Sequence, residues 1–268
     1  MRRIILAFLL CVILLGKAQA AFSEDTATSS LINAVNTSGL TGLVRTASAE
    51  TIGPRQISLG ASGDFEDSRA IRGTVTLGIT RITELALMFP YLRQSGNGQS
   101  GQSGAGDLEI AGKWRVLERE NLPALAVAAS VITPTGSDSK GLNTVHRYGF
   151  TFKGIASANL NLLPLNNYVF GLFAEAGMFI RDLGQIQEEK HGFYGAGIML
   201  PINFLQLLLE VNGTVKDQST SANNVVTFTP SLRFVAKHFS LSAGYEYTAR
   251  ESANNYTSGG IVAASVTF

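Results

Sequence analysis

The sequence is poor in the groups that most protein chemistry draws on. Its 268 residues contain one cysteine, one tryptophan and three histidines. The cysteine, Cys11, sits inside the apolar stretch at the N-terminus, so the chain beyond it can form no disulfide and offers no thiolate to a metal. Charged residues make up only 15% of the chain, and 21 Lys+Arg stand against 20 Asp+Glu. A near-neutral chain has no general field to draw in nucleic acid, and no basic stripe interleaved with aromatics is present. After residue 20 there is no apolar run of about 18 residues, which excludes membrane-spanning helices there. The hydrophobic 45% is dispersed, in segments of about ten residues, the length a tilted strand needs to cross a bilayer.

What is present begins with an address. Met1, Arg2 and Arg3 form a basic start, Ile4 to Leu15 an apolar core of about twelve residues, and Ala18-Gln19-Ala20 a small-residue cleavage site. Residues 1–20 read as a signal peptide cleaved after Ala20; an N-terminal anchor helix is the alternative, but the core is too short to span. Phe8-Leu9-Leu10 lack the small residue that a lipoprotein box places before its cysteine, so no lipid anchor is expected. Removing residues 1–20 takes away Arg2, Arg3 and Lys17, leaving 248 residues with 18 basic and 20 acidic side chains.

From Gln56 the chain alternates. Val75, Leu77 and Ile79 oppose Thr74, Thr76, Gly78 and Thr80. Leu108, Ile110, Gly112, Trp114 and Val116 oppose Glu109, Ala111, Lys113 and Arg115. Leu205, Leu207, Leu209 and Val211 oppose Gln206, Glu210 and Asn212. Side chains alternate across a strand, so each segment has one apolar and one polar face. Long Gly/Ser/Asn-rich stretches (93–106, 134–145, 181–190, 217–223, 250–258) take turns with short links (81–83, 117–122, 161–167, 201–204, 236–239). Twelve strands fit this rhythm, and ten or fourteen remain open because 160–167 and 199–204 are poorly phased. Pro230 removes a ladder donor inside one strand, implying a bulge or a misplaced strand.

The last segment, Ile261 to Phe268, sets Val262, Ala264, Val266 and Phe268 on one face and Ala263, Ser265 and Thr267 on the other. This resembles the C-terminal signal of bacterial outer-membrane β-barrels, whose final strand ends in Phe and is read by the barrel-assembly machinery. The resemblance implies an all-β, antiparallel up-and-down transmembrane barrel over 56–268, in the outer membrane of a diderm bacterium. It also implies outer-membrane lipids and lipopolysaccharide as surroundings, and the assembly machinery and periplasmic chaperones as partners during biogenesis. Upstream, Ser38-Gly39-Leu40-Thr41-Gly42-Leu43 through Glu50 and Gly53-Pro54 resembles a Gly-Leu-x-x-Leu opener of some poorly characterised barrels, including ones linked to exopolysaccharide export. A loop leading into the first strand is the other reading. Residues 21–55 are thus expected to be a periplasmic extension or a partial plug.

The face expected to point inward carries Glu109, Lys113, Arg115, Lys153, Glu175, Glu210, Arg233 and Glu246, four of each sign. Such a lumen is either a set of paired charges in water or a narrow pore whose charges orient a solute. No catalytic, cofactor or metal site is expected. His146, His191 and His238 lie in no motif that pairs a histidine with a serine, and no acidic or histidine cluster has ligand spacing. The functions left are a small-solute pore, a structural or export-associated barrel without an open channel, and, third, a hydrolase. A secreted soluble β-sandwich is the competing fold.

Overall fold

The computed structural model describes residues 34–65, 68–94, 102–118, 123–137, 140, 142, 145–160, 170–182, 188–202, 204–216, 224–250 and 255–268; the expected signal peptide lies outside them. The strands are β1 (Ile57–Phe65), β2 (Ser68–Thr80), β3 (Thr83–Gln94), β4 (Ser103–Ala105), β5 (Leu108–Leu117), β6 (Ala124–Thr133), β7 (Gly149–Leu160), β8 (Phe170–Asp182), β9 (Glu188–Ile202), β10 (Leu205–Lys216), β11 (Val225–Val235), β12 (Phe239–Arg250) and β13 (Asn255–Thr267). All pair antiparallel. Twelve close into a barrel, and three-residue β4 pairs only with the end of β3. The all-β twelve-stranded expectation is borne out, and among the described residues no helix is long and apolar enough to cross a membrane.

Closure joins the two ends of the wall. Ser58 faces Thr267 and Phe65 faces Gly260 along β1 and β13. Ile57 and Phe268 exchange both backbone hydrogen bonds, at 3.1 and 2.8 Å. No edge strand is left at the seam, which is what a sheet in lipid requires.

Two-residue periodicity assigns the faces. On β10, Leu207, Leu209 and Val211 are exposed while Gln206, Leu208 and Glu210 are buried. The same inversion of soluble-protein logic recurs around the wall, with Leu59, Val127, Ile198, Leu232, Leu241 and Val262 all turned out. An apolar outer band of this size suits hydrocarbon and not water. Aromatics border it. Phe204, Phe234, Phe239 and Phe268 are exposed at the end where the barrel starts and stops, with Phe204 edge-on to Phe234 at 5.6 Å. Phe65, Tyr91, Tyr245 and Tyr247 stand toward the opposite, loop end. Two aromatic girdles around an apolar belt are the mark of a membrane wall. Val211 lies midway between them, so Val211→Arg is expected to lower stability by about 2–4 kcal/mol, the cost of a cation at the bilayer midplane. Urea titration of the barrel refolded in lipid vesicles measures it, and a cost near zero would place Val211 away from lipid.

Strand ends run further than the alternation suggests. β8 and β9 continue through Arg181–Asp182 and Glu188–Lys190, and β13 starts at Asn255, inside stretches expected to be loops. Beyond the hydrocarbon a strand no longer needs an apolar face, so its signature vanishes while its ladder continues. Arg181 Nε reaches Glu189 Oε2 at 2.6 Å across that extension. β9 likewise continues through Pro201 and Ile202, narrowing the expected turn at 201–204. At Pro230 there is neither a bulge nor a misplaced strand. The β11–β12 ladder stops at Phe228↔Tyr247 and resumes at Ser231↔Gly244 in the same register, while Pro230 still pairs with Leu209 on the other side.

Candidate functional site

The barrel is not hollow at mid-height, because residues 34–52 fold inside it. This segment has no helix or sheet of its own and is organised by turns. Asn36 Oδ1 accepts from Ser38 N at 3.0 Å, Ser38 Oγ at 2.8 Å and Leu40 N at 3.1 Å, and its Nδ2 donates to Arg45 O at 3.1 Å. A short amide side chain that mimics backbone is what such a knot needs. Gly39 has φ 82°, and a β-carbon there would lie 3.3 Å from Ala86 and Thr74, so position and conformation both demand glycine. Isolated bridges Val35↔Thr41 and Gly42↔Ala47 hold the rest of the fold-back.

Its apolar side chains are completely enclosed. Leu40, Ala47 and Ala49 pack on Ala86, Ala111, Ala126, Ala128 and Ile155 of the wall, which explains why β6 is apolar on both faces. Leu43 and Ile52 are 0% exposed. The wall makes room by being small where the plug is broad: a β-carbon on Gly197 would stand 2.3 Å from Leu43 Cδ1.

Charge does the gripping. Glu210 Oε1 accepts from Val44 N at 2.9 Å, and its Oε2 from Arg45 N at 2.9 Å and Thr46 N at 2.8 Å. Glu84 takes Thr41 N at 2.9 Å, Thr41 Oγ1 at 2.6 Å and Ile52 N at 3.0 Å. Lys113 Nζ lies 2.8 Å from Glu84 Oε1 and donates to the carbonyls of Ser48 at 2.9 Å, Thr41 at 3.3 Å and Glu50. Glu175 accepts from Ala47 N at 3.1 Å and from Lys153 Nζ at 2.8 Å. Ser157 Oγ accepts from Ala49 N at 2.7 Å, and Arg233 donates to Gly42 O at 3.1 Å and Ser242 Oγ at 2.9 Å. Buried charges are tolerable only when satisfied like this.

Arg45 forms the plug's loop-end tip. Its guanidinium forks onto Glu246 at 2.6 and 2.7 Å and stands 3.4 Å from Asp64, which Arg72 holds at 2.7 Å. Burial alone would weaken its charge, but the Glu246 hydrogen bond and the Asp64, Glu246 and Glu210 carboxylates offset this and hold its pKa above the ordinary arginine value.

Seven of the eight residues expected to point inward lie in this interior. Lys113, Glu175, Glu210, Arg233 and Glu246 touch the plug, Lys153 acts through Glu175, and half-buried Glu109 shares the field of Lys153 and Arg72. Arg115 is set apart at the termini end. It follows the lumen phase to the irregularity at Arg115/Leu117 and there binds Arg81 O at 2.5 Å and Glu118 at 2.9 Å. Sequence reasoning missed Glu84, Asp64 and Arg72. Asp64 and Glu84 are the next-to-last and second residues of β1 and β3, and Arg72 precedes the alternation read from Thr74, although Glu84 keeps the phase of Ala86.

No protein-family model and no curated protein matches the chain in sequence. Solved structures do match in fold. An outer-membrane channel from Pseudomonas putida F1 superposes with TM-score 0.62 at 13% identity, over 84% of this chain and 100% of that one. The NanC porin gives 0.57 at 9% identity, over 78% and 98%. LpxR from Salmonella typhimurium, an enzyme barrel, gives 0.51 at 12% identity, over 80% and 99%. The shared fold is the outer-membrane β-barrel.

Proposed function

We propose that the chain is an outer-membrane channel for small solutes whose conduit is closed, in the state seen here, by its own residues 34–52. The observation that carries this is the chemistry of the seal. An eight-stranded barrel fills with side chains, whereas twelve strands enclose more space than their own side chains occupy. Here that space is taken by a covalently attached segment of the chain held through a polar wall. A permanent core would be cheaper to build from apolar side chains, because every buried charge must be satisfied. The porin and channel neighbours support the same reading.

The histidines favour a conduit over a hydrolase. His238 Nδ1 lies 3.0 Å from Thr267 O at the termini end, and the His191 ring packs on Phe179 at 4.8 Å. Acyl transfer needs a histidine oriented by an acid beside a nucleophile; His238 Nδ1 meets a backbone carbonyl, and Glu189, 3.8 Å from His191, is held by Arg181 at 2.6 Å.

Planar-bilayer recording tests the proposal. The native protein is expected to be closed most of the time, with brief stable steps. Glu210→Ala, which frees three backbone donors of the plug, should raise the open fraction at least about tenfold, given roughly 1.5–3 kcal/mol for a hydrogen bond to a charged group. Silence from both proteins, with the barrel shown to be folded by its altered gel migration when unheated, would favour a closed structural barrel instead.

A further inference from the structure

The way the wall holds the plug says what else it can hold. The wall's polar groups meet the plug almost entirely at its main chain. Glu84, Glu210, Glu175 and Ser157 take the N–H groups of Thr41, Val44, Arg45, Thr46, Ala47, Ala49 and Ile52. Thr76, Lys113 and Arg233 take the carbonyls of Gly39, Thr41, Gly42, Ser48 and Glu50. Among the described residues, side chains of the plug hydrogen-bond to the wall at four positions, Thr41, Arg45, Thr46 and Thr51. Glu210 alone gathers three successive N–H groups, those of Val44, Arg45 and Thr46, a main-chain grip that does not depend on their side chains.

We infer that this wall is a peptide-binding site, and that the solutes admitted when the plug yields are short peptides recognised through their backbone amides. The inference rests on the channel reading and narrows it to a substrate class. An emptied lumen would leave Glu210, Arg233 and the Glu84–Lys113 pair short of partners. A second peptide restores those contacts in kind, so the plug acts as a tethered substitute for the solute. A saccharide offers hydroxyls without the fixed spacing of amide donors, and an apolar solute would strand the charges.

The test uses the full chain with residues 39–52 replaced by an equal length of Gly/Ser, refolded in detergent. A fluorescent peptide with the native sequence of residues 39–53 is followed by anisotropy. Saturable binding is expected. N-methylation of the peptide at the amides of positions 44, 45 and 46 should weaken it at least about tenfold, as should Glu210→Gln in the barrel. The side-chain control is the peptide with Ser48 changed to alanine, which should bind within about threefold, since its hydroxyl meets only Thr41 O within the segment itself. Equal binding of the methylated peptide, or of an oligosaccharide of similar length, overturns the inference.

If the replaced chain fails to fold, the native barrel refolded with excess peptide serves. Displacement of the plug then exposes the bond after Arg45 to trypsin, and the methylated peptide should not promote that cleavage; equal cleavage with both, or with neither, counts against the inference. The two readings fail separately. A plug-replaced barrel that conducts but ignores peptide keeps the channel and loses the substrate class. One that binds peptide without conducting loses the channel.

Discussion

Glu84→Ala is expected to be the most damaging single change in the lumen, lowering stability by about 3–5 kcal/mol, the usual result of stranding a buried charge. Lys113 and Glu84 are both 0% exposed and 2.8 Å apart, yet their losses should not be equal. Without Glu84, the ammonium of Lys113 keeps only carbonyl partners and loses its counter-charge. The donors Thr41 N and Ile52 N are orphaned as well. Without Lys113, Glu84 loses its counter-charge but still accepts three hydrogen bonds from the plug, so Lys113→Met should cost about 3 kcal/mol, the low end for breaking a buried pair. The double variant should recover part of the loss seen with Glu84→Ala, because the uncompensated cation is gone. Urea unfolding of the refolded barrel measures all three. Equal single-variant costs, or a double variant worse than the sum, would sink this account of the pair.

Most of the wall was legible because lipid on one side and water or plug on the other enforce a period of two. β5 and β10 announce themselves this way, and the phase of β13 is as read, with Val262 and Phe268 outside and Ala263, Ser265 and Thr267 buried. Legibility fails where that contrast stops. Asp64 and Arg72 lie toward the loop end, where the outward residues beside them, Phe65 and Ile71, stand alone and not in a run that fixes the phase. Glu84 is the second residue of its strand, before any alternation has accumulated. The plug was the least readable part, because its fold depends on partners far along the chain. Thr46 N meets Glu210, and Arg45 meets Glu246. Its residues supply small size, turns and free amides, and the wall supplies the order. The one local sign was composition: Gly39, Gly42 and small polar residues around Leu40 and Leu43 make a poor helix and a poor strand, but a good filler for an irregular space.

Size along one strand offers a way to move the plug without touching a charge. On β9, Gly195 and Gly197 face inward beneath it. A β-carbon at Gly195 would stand 2.6 Å from Asn212 Oδ1 and 3.2 Å from Thr46 Oγ1. At Gly197 the obstacles are Leu43 Cδ1 at 2.3 Å and Glu210 Cγ at 3.3 Å. The one severe contact of a methyl at 197 is the far end of a flexible leucine, which can turn aside, so Gly197→Ala should change conductance little. Gly197→Phe cannot be accommodated in that way. Its ring needs the volume the whole Leu43 side chain occupies, more than a turn of the terminal methyl can free. The ladder itself should survive, since the backbone pairs Gly197 makes with Phe173 and Glu210 are unaffected by a side chain pointing into the lumen. Losing the burial of Leu43 removes about 1.5–3 kcal/mol from the closed state, a shift of roughly tenfold to a hundredfold toward the open one. Bilayer recordings should therefore show Gly197→Phe open far more often than Gly197→Ala, and trypsin should cut after Arg45 only in the former. If both variants fold and both stay shut and protected, Leu43 is not the latch, and the plug is held by its main chain alone.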